Sequence, residues 1–240
     1  DDIELVKSQD FDFICEGPES NGVPNNEDNL VLRALRLIEQ KWNTQLLIRL
    51  RVHKRIPHGA GLGGGSSNAA SVLKSLPTLF DRPIPESELL AMASQLGSDV
   101  PLFILGGTTL GLNKGEKVER LPSLTIGPQI IVNTGLSIRT EEVYKCINHD
   151  FFPPSSIKDL LMSGQSIPRR NDLAPFAYQV NSNLQKIASV LSGTGGDAML
   201  CGSGGCFSAL NASDDACRAA MHWLHEHKPH WKVYNIGLPR

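Results

Sequence analysis

A glycine-rich segment, Pro57–Gly65, is the part of this sequence whose residue types and spacing most directly suggest chemistry. Five of its nine residues are glycine, and Ser66, Ser67 and Asn68 follow at the start of an Ala- and Leu-rich stretch with helical spacing. Glycine backbone can approach an anion closely, and the first amides of a helix have no partners within that helix. With the helix dipole and two serine hydroxyls, this glycine loop predicts a phosphate site. A flexible turn with a serine cap is the simpler alternative.

The spacing of the glycine loop can be compared with two known phosphate loops. Gly59, Gly61 and Gly64 match the G-x-G-x-x-G dinucleotide fingerprint, but Pro57 separates them from the preceding strand. The candidate ribose-binding acid, Asp81, lies in a proline-containing loop. A Walker A loop needs Gly-Lys-Ser/Thr, and no lysine follows these glycines. A dinucleotide-binding protein without kinase activity therefore stays open as an alternative of another class.

A second candidate for chemistry is Asp99, which lies between a glycine turn and a proline in the segment 96–101, Leu-Gly-Ser-Asp-Val-Pro. A carboxylate on such a loop can accept the proton of a hydroxyl that attacks the γ-phosphate of a nucleotide. Taken alone, the segment is more typical of an Asx turn or a helix cap.

Several motifs together resemble one kinase family. The segment 57–70 reads P-x-G-x-G-L-G-G-G-S-S-N-A-A, which resembles the ATP loop of the GHMP small-molecule kinases. The triple glycine and the Ser-Ser-Asn-Ala-Ala ending resemble the branch that phosphorylates 4-diphosphocytidyl-2-C-methyl-D-erythritol on its 2-hydroxyl, a step of non-mevalonate isoprenoid biosynthesis. The motifs follow the family order from about Glu27 onwards. The resemblance implies an ATP-dependent kinase that uses Mg²⁺; a sister kinase acting on another small alcohol is the alternative within the family.

The resemblance also implies roles for individual residues. Asp99 is then the catalytic base, because the family reads L-G-[AS]-D-V-P at this point. Tyr144 stacks on cytosine, and Lys54 lies on the adenine side. The implied ATP-binding residues are Asn29, Lys54, Pro57, Gly59, Gly61, Gly63, Gly64, Gly65, Ser66, Ser67 and Asn68, and the implied substrate-binding residues are Ser98, Thr140, Tyr144, Gly202 and Gly204.

Ordinary structural roles are the alternatives for these motif residues. Asn29 and Thr140 could each cap a helix. Tyr144 could be half-buried packing, and Lys54 could be a charged residue at a strand end. The segment Cys201–Cys206, which contains Gly202 and Gly204, could be no more than a tight hairpin turn.

The hydrophobic pattern predicts strands and helices mixed along the chain, an α+β (mixed α/β) fold. Among these elements are a strand at 46–52, a helix at 66–76 that Pro77 stops, a strand at 102–109, a helix at 172–191 and a hairpin at 199–210. The resemblance implies a ribosomal-protein-S5-like ATP-binding domain over 1–123 and a ferredoxin-like domain over 124–240, with the ligands in a cleft between them.

The sequence departs from the family at its beginning. The family opens with a P-A-K-[IL]-N-L strand and a G-Y/F-H segment, whose lysine and histidine contribute to phosphoryl transfer and cytidine binding. Neither motif occurs in these 240 residues. We therefore expect that the first strands of the family domain are missing, and we assign the activity to the whole protein.

Composition excludes several classes of protein. A chain that is 40% hydrophobic and 20% charged is not disordered, and 23 basic against 25 acidic residues leave no excess for binding nucleic acid. Five cysteines without a CxxC favour a reducing compartment, and no apolar run reaches the ~18 residues of a membrane helix. Four histidines at 222–230 lack a recognisable metal-ligand spacing, so no metal site is predicted.

We expect a bacterial cytoplasmic enzyme whose partner is a small cytidine-diphosphate substrate, with the plastid stroma as the alternative compartment. The oligomeric state does not follow from the sequence.

Overall fold

The computed structural model describes residues 1–124, 126–136, 138–147 and 169–236, and the chain divides into two units. The first consists of Asp1–His58 and Gly63–Leu124, and the second of Gly59–Leu62 and Thr125–Arg240. Four residues of the glycine loop thus belong to the second unit, although their neighbours on both sides belong to the first. Within the described residues, no helix is both long and apolar enough to cross a bilayer.

The first unit is built on a three-stranded sheet with the order β1-β3-β2, in which β3 is antiparallel to β1 and parallel to β2. Ile48, Leu50 and Val52 of β3 are buried and alternate with more exposed residues, so that one face of the strand packs into the core. The elements of this unit are β1 (Asp2–Lys7), β2 (Asp12–Glu16), α1 (Leu30–Trp42), β3 (Ile48–His53), α2 (Gly64–Leu79), α3 (Glu86–Leu96), α4 (Val100–Leu105), β4 (Thr109–Leu112) and β5 (Lys117–Arg120).

Two elements of the first unit differ from the sequence prediction. Pro77 lies inside α2 and does not end it. Its missing N–H removes a single hydrogen bond in the last turn, and the buried side chains of Leu73, Leu76 and Pro77 hold this turn in the core. The predicted strand at 102–109 is also wrong, because α4 occupies Val100–Leu105. A short apolar run cannot be assigned to helix or strand by periodicity alone.

The second unit contains a four-stranded antiparallel sheet with the order β7-β8-β6-β9. Its chain order, strand–helix–strand–strand–helix–strand, is that of a ferredoxin-like fold. The predicted hairpin at 199–210 is confirmed, while the predicted helix at 172–191 is two helices. The elements are β6 (Gln129–Asn133), α5 (Thr140–Lys145), α6 (Ala174–Val180), α7 (Asn183–Gly193), β7 (Asp197–Leu200), β8 (Cys206–Leu210), α8 (Asp214–His227) and β9 (Lys232–Ile236).

Candidate active site

The glycine loop ends at the N-terminus of α2. Gly63 is the N-cap residue, and its left-handed backbone (φ 68°) directs the chain into the helix. The first helical hydrogen bond runs from the Ser67 amide to the Gly63 carbonyl (2.9 Å), so the amides of residues 64–66 precede the hydrogen-bond ladder. No side chain caps this end of the helix within the described chain. The structure therefore has the amide geometry and the helix dipole of an anion site.

Close approach explains why two residues of the loop are glycine. Gly61 has φ +76°, and a Cβ at this position would overlap the carbonyl group of Cys201, which lies with it in the second unit. A Cβ at Gly63 would lie 2.8 Å from the ring of Phe103 in α4. Gly59 also has a positive φ (+68°), but nothing lies within 4 Å of its missing Cβ. The loop is thus packed tightly at Gly61 and Gly63 and open at Gly59.

Asp99 is the N-cap residue of α4, yet its side chain makes no capping hydrogen bond. The residue is exposed, and no hydrogen bond or ion pair engages its carboxylate among the described residues. The helix-cap alternative therefore does not account for this side chain. Phe103, four residues further along α4, packs against Gly63, so the helix that carries Asp99 is anchored at the start of α2. Ser98 beside it is exposed as well.

A pocket of about 130 Å³ lies in the first unit, between the end of β3, the start of α1 and the start of α2. Asn29 lines it but serves as the N-cap of α1, since its side-chain oxygen accepts from the Val31 amide (3.0 Å). Its amide nitrogen donates to the Pro24 carbonyl (2.7 Å). The capping alternative for Asn29 is thus confirmed. Most of the other lining residues are apolar, as is usual for a pocket that binds a small molecule. These other residues are Cys15, Val23, Pro24, Asp28, Leu30, Val31, Val52, Lys54, His58, Gly65 and Asn68.

Lys54 is buried, and its ammonium group pairs with the carboxylate of Asp1. The exposed fractions of the two side chains are 4% and 1%. Burial lowers the pKa of Lys54, and the neighbouring acidic groups of Cys15 and Glu19 partly oppose this shift. Asn68, on the first turns of α2, donates from Nδ2 to the same carboxylate (2.8 Å). Sequence reasoning missed Asp1, because only the pairing of β1 with β3 brings it opposite Lys54.

The loop between β7 and β8, Gly202–Gly205, is called the hairpin loop below. Gly202, Gly204 and Gly205 have φ values of +54°, +139° and +100°. A Cβ would lie 2.9 Å from the Ile138 side chain at Gly204 and 2.8 Å from the Leu136 carbonyl at Gly205. Each of these positions therefore excludes a side chain. Beside the loop, burial raises the pKa of the Cys201 thiol to about 11, which keeps it protonated at neutral pH.

Asn171 holds the hairpin loop in place. Its Nδ2 donates to the carbonyls of Leu200 (2.8 Å) and Gly202 (2.6 Å), and its Oδ1 accepts from the Leu173 amide (2.9 Å). The Thr134 hydroxyl donates to the Gly205 carbonyl (3.1 Å). Asn171 is separated from the loop by about thirty residues of sequence, and only its Asn-Asp-Leu motif could have drawn attention to it.

Thr140 and Tyr144 lie on α5 in the second unit. The Thr140 hydroxyl is 2.7 Å from the Ser203 hydroxyl of the hairpin loop. The N-cap of α5 is Arg139, so Thr140 is not the cap. Tyr144 is 57% exposed, so part of its ring is accessible, and the alternative of half-buried packing stays open. Ser203 is a neighbour of Thr140 that the sequence alone did not indicate.

Comparison with known proteins gives a consistent result. Residues 29–107 match the GHMP kinases N-terminal domain. The chain is 34% identical to a 4-diphosphocytidyl-2-C-methyl-D-erythritol kinase of Solibacter usitatus, over 92% of this chain and 72% of that protein. A kinase of the same name from Protochlamydia amoebophila is 35% identical, over 87% of this chain and 72% of its own length.

Solved structures agree with these relatives. A crystal structure of a 4-(cytidine 5'-diphospho)-2C-methyl-D-erythritol kinase superposes with a TM-score of 0.79 at 29% identity, covering 97% of this chain and 84% of that one. A homoserine kinase from Cytophaga hutchinsonii superposes with a TM-score of 0.74 at 15% identity, covering 98% and 84%, which is a likeness of fold alone.

Proposed function

The chain belongs to the family of 4-diphosphocytidyl-2-C-methyl-D-erythritol kinases, among the GHMP kinases, and on that premise we propose that it phosphorylates the 2-hydroxyl of this cytidine-diphosphate substrate with ATP. The observation that carries the proposal is the first unit's arrangement around α4. This helix begins at Asp99, whose carboxylate is unengaged in the described chain, and packs through Phe103 on Gly63 at the start of α2.

The amides of residues 64–66 receive the phosphates of ATP in this proposal. They are the natural ligands, because three N–H groups and the helix dipole favour negative charge at the same point. The pocket beside Gly65, Asn29, Lys54 and Asn68 receives the adenine ring against its apolar wall. The remaining residues of the glycine loop supply the backbone shape that exposes these amides.

Asp99 acts as the general base. The substrate hydroxyl oxygen forms a bond to the γ-phosphorus while the bond from that phosphorus to the bridging oxygen of ADP breaks. The hydroxyl proton passes to the Asp99 carboxylate as the new bond forms. ADP leaves with the electron pair of the broken bond. Ser98, exposed next to Asp99, is proposed to contact the substrate near its reacting hydroxyl.

We propose Mg²⁺ as the accompanying ion. Among the described residues there is no group of three or more His, Cys, Asp or Glu side chains that could bind a metal. Mg²⁺ in kinases is held mainly by substrate phosphates, water and one or two protein oxygens, which the hydroxyl groups of Ser66 and Ser67 would supply. When bound, the ion neutralises charge on the β- and γ-phosphates.

The cytidine end of the substrate is assigned to residues of the second unit. The exposed ring of Tyr144 offers a stacking surface for the base. Thr140, whose hydroxyl is hydrogen-bonded to Ser203, offers this hydroxyl to the diphosphate, and Gly202 and Gly204 allow the tight packing that shapes the hairpin loop beside it. We also propose that the enzyme acts in the bacterial cytoplasm, because its five cysteines form no CxxC motif and its relatives are bacterial.

A turnover assay tests the proposal directly. The complete protein is supplied with ATP, Mg²⁺ and 4-diphosphocytidyl-2-C-methyl-D-erythritol, and the products are followed by mass spectrometry and phosphorus NMR. Homoserine and mevalonate serve as control acceptors. We expect ADP and a singly phosphorylated product with the cytidine substrate alone.

Two outcomes would contradict the proposal in different ways. ATP binding without product from the cytidine substrate would favour a sister kinase with another acceptor. A rise in melting temperature with NAD but not with ATP would favour the dinucleotide-binding alternative, because a ligand of the native state raises its stability.

A further inference from the structure

The Asp1 carboxylate, which lies beside the glycine loop, accepts hydrogen bonds from four donors. The register of β1 and β3 pairs Asp2 with His53, which brings Asp1 opposite Lys54 at the point where β3 ends. Its Oδ2 accepts from the Lys54 ammonium and from Asn68 Nδ2. Its Oδ1 accepts from the backbone amides of Arg55 and Ile56, at 2.7 Å each. Four donors fill the acceptor capacity of one carboxylate.

These four donors come from the three segments that frame the glycine loop. Lys54 follows the last residue of β3, Arg55 and Ile56 lead into the loop, and Asn68 lies on α2 directly after it. The same group of residues packs against the loop's end, since a Cβ at Gly64 would lie 2.9 Å from Ile56 and 3.3 Å from the Lys54 Nζ. A displacement of Lys54 or Ile56 would therefore move the amides at the start of α2.

We propose that Asp1 is a positioning residue for the glycine loop and that Lys54 is its counter-charge. This inference rests on the proposed binding of ATP by the loop. The Lys54 ammonium is paired with the Asp1 carboxylate, and the exposed fractions of the two side chains are 4% and 1%. Asp1, in turn, contacts no proposed ligand and acts through the backbone of Arg55 and Ile56.

The proposal predicts an unequal response to removing the two partners. Lys54→Met leaves Asp1 with three N–H donors, which are enough to stabilise a buried carboxylate. Asp1→Asn leaves the buried Lys54 ammonium without its hydrogen-bonded counter-charge, which is strongly unfavourable. The double variant Asp1→Asn/Lys54→Met removes both charges. Its new amide can still accept from residues 55 and 56 and can pair with the Asn68 amide.

The experiment compares these three variants with the wild type in the full chain, by calorimetric titration with ATP and by steady-state kinetics. We expect Asp1→Asn to weaken ATP binding by about tenfold or more relative to the wild type. Because Lys54 lines the proposed ATP pocket, Lys54→Met is the reference for the double variant, which should bind ATP within about threefold of Lys54→Met. The KM for the cytidine substrate should not change. Asp2→Asn is the matched control, because Asp2 is 64% exposed and its carboxylate pairs with the exposed Arg55 side chain.

Each outcome supports or overturns the inference. A double variant that binds ATP about tenfold more weakly than Lys54→Met would show that Asp1 acts independently of the Lys54 charge, and would overturn the inference. If Asp1→Asn does not fold, the comparison of the double variant with Lys54→Met decides alone, because the double variant contains no uncompensated buried charge: equal ATP binding supports the inference and a tenfold difference overturns it. Wild-type protein that binds no ATP would overturn the proposed function as well, whereas a failure confined to the double variant overturns this inference only.

Discussion

The glycine loop before α2 and the hairpin loop between β7 and β8 use the same residue type for opposite purposes. In the first, the loop runs into a sixteen-residue helix and leaves the amides of residues 64–66 ahead of the hydrogen-bond ladder. In the second, side chains donate hydrogen bonds to the backbone carbonyls: Asn171 donates to those of Leu200 and Gly202, and Thr134 donates to that of Gly205. The first loop therefore leaves N–H donors available for a ligand, whereas the carbonyls of the second loop are already hydrogen-bonded to side chains of its own unit.

This difference teaches that a glycine cluster by itself does not define a phosphate site. The element that follows the glycines decides which backbone groups remain available. In the proposed function, ATP binds at the glycine loop and the cytidine substrate binds in the region of the hairpin loop. Variants of the two regions should accordingly change different kinetic constants.

The largest effect is expected at Asp99. Asp99→Asn keeps the shape of the side chain but removes its ability to accept a proton, so kcat should fall by about 10²–10⁴-fold. The dissociation constant for ATP should remain nearly unchanged, because the amides of α2 are intact. Steady-state kinetics and calorimetric titration with ATP measure the two quantities separately.

Asp12→Asn is the control for Asp99, since Asp12 is an exposed carboxylate on β2. It should leave both kcat and ATP binding at the wild-type level. A large loss of ATP binding in Asp99→Asn, with kcat preserved in the bound complex, would make Asp99 a nucleotide ligand or a structural residue.

A pair of substitutions separates the two reasons for glycine in the glycine loop. Gly59→Ala and Gly61→Ala introduce the same methyl group at similar positive φ values, +68° and +76°. Only the second would overlap a neighbour, the carbonyl group of Cys201. Gly61→Ala should lower the free energy of unfolding by about 2 kcal/mol more than Gly59→Ala, and should weaken ATP binding by about tenfold.

Urea unfolding and ATP titration of both variants check this prediction. Equal losses in the two variants would mean that backbone conformation alone requires glycine here. In that case the close contact between Gly61 and the Cys201 carbonyl would not be a reason for glycine at position 61.

Much of the framework around these loops could be predicted from the sequence, because local patterns determine it. The helix after Asn29, the hairpin at 199–210 and the helical start after the glycines follow from capping residues, alternation and turn chemistry. The strand predicted at 102–109 failed because Leu102-Phe-Ile-Leu is apolar throughout. Asp99 and Pro101, which mark a helix start, were the better signal there.

The contacts that complete the candidate site could not be read from the sequence. Asp1 and Lys54 meet only because β1 and β3 pair in one register, with more than fifty residues between them. Thr140 and Ser203 are separated by a similar distance along the chain. No local propensity encodes such pairs, since they depend on the tertiary arrangement of strands and helices.

A smaller effect is expected at Asn171, on the side of the hairpin loop. Asn171→Ala leaves the carbonyls of Leu200 and Gly202 without their donor, which should lower the free energy of unfolding by about 1–3 kcal/mol. Asn171→Asp should be worse than Asn171→Ala, because a carboxylate would face both carbonyl oxygens. Both variants should raise the KM for the cytidine substrate and leave the KM for ATP unchanged. Thermal unfolding and initial rates at varied concentrations of each substrate test this, and a rise confined to the KM for ATP would reverse the assignment of the two loops.

The smallest effect is expected at Tyr144, whose ring is largely outside the packed core of the second unit. Tyr144→Ala removes the proposed stacking surface and should raise the KM for the cytidine substrate by about three- to tenfold, equivalent to the ~0.5–1.5 kcal/mol of an aromatic pair. Tyr144→Phe keeps the ring and should retain the wild-type KM, because stacking does not use the hydroxyl. Neither change should shift the melting temperature, since a side chain that is 57% exposed contributes little burial. If Tyr144→Phe loses as much affinity as Tyr144→Ala, the hydroxyl and not the ring binds the substrate, and the second unit recognises the cytidine end by hydrogen bonding instead of by stacking.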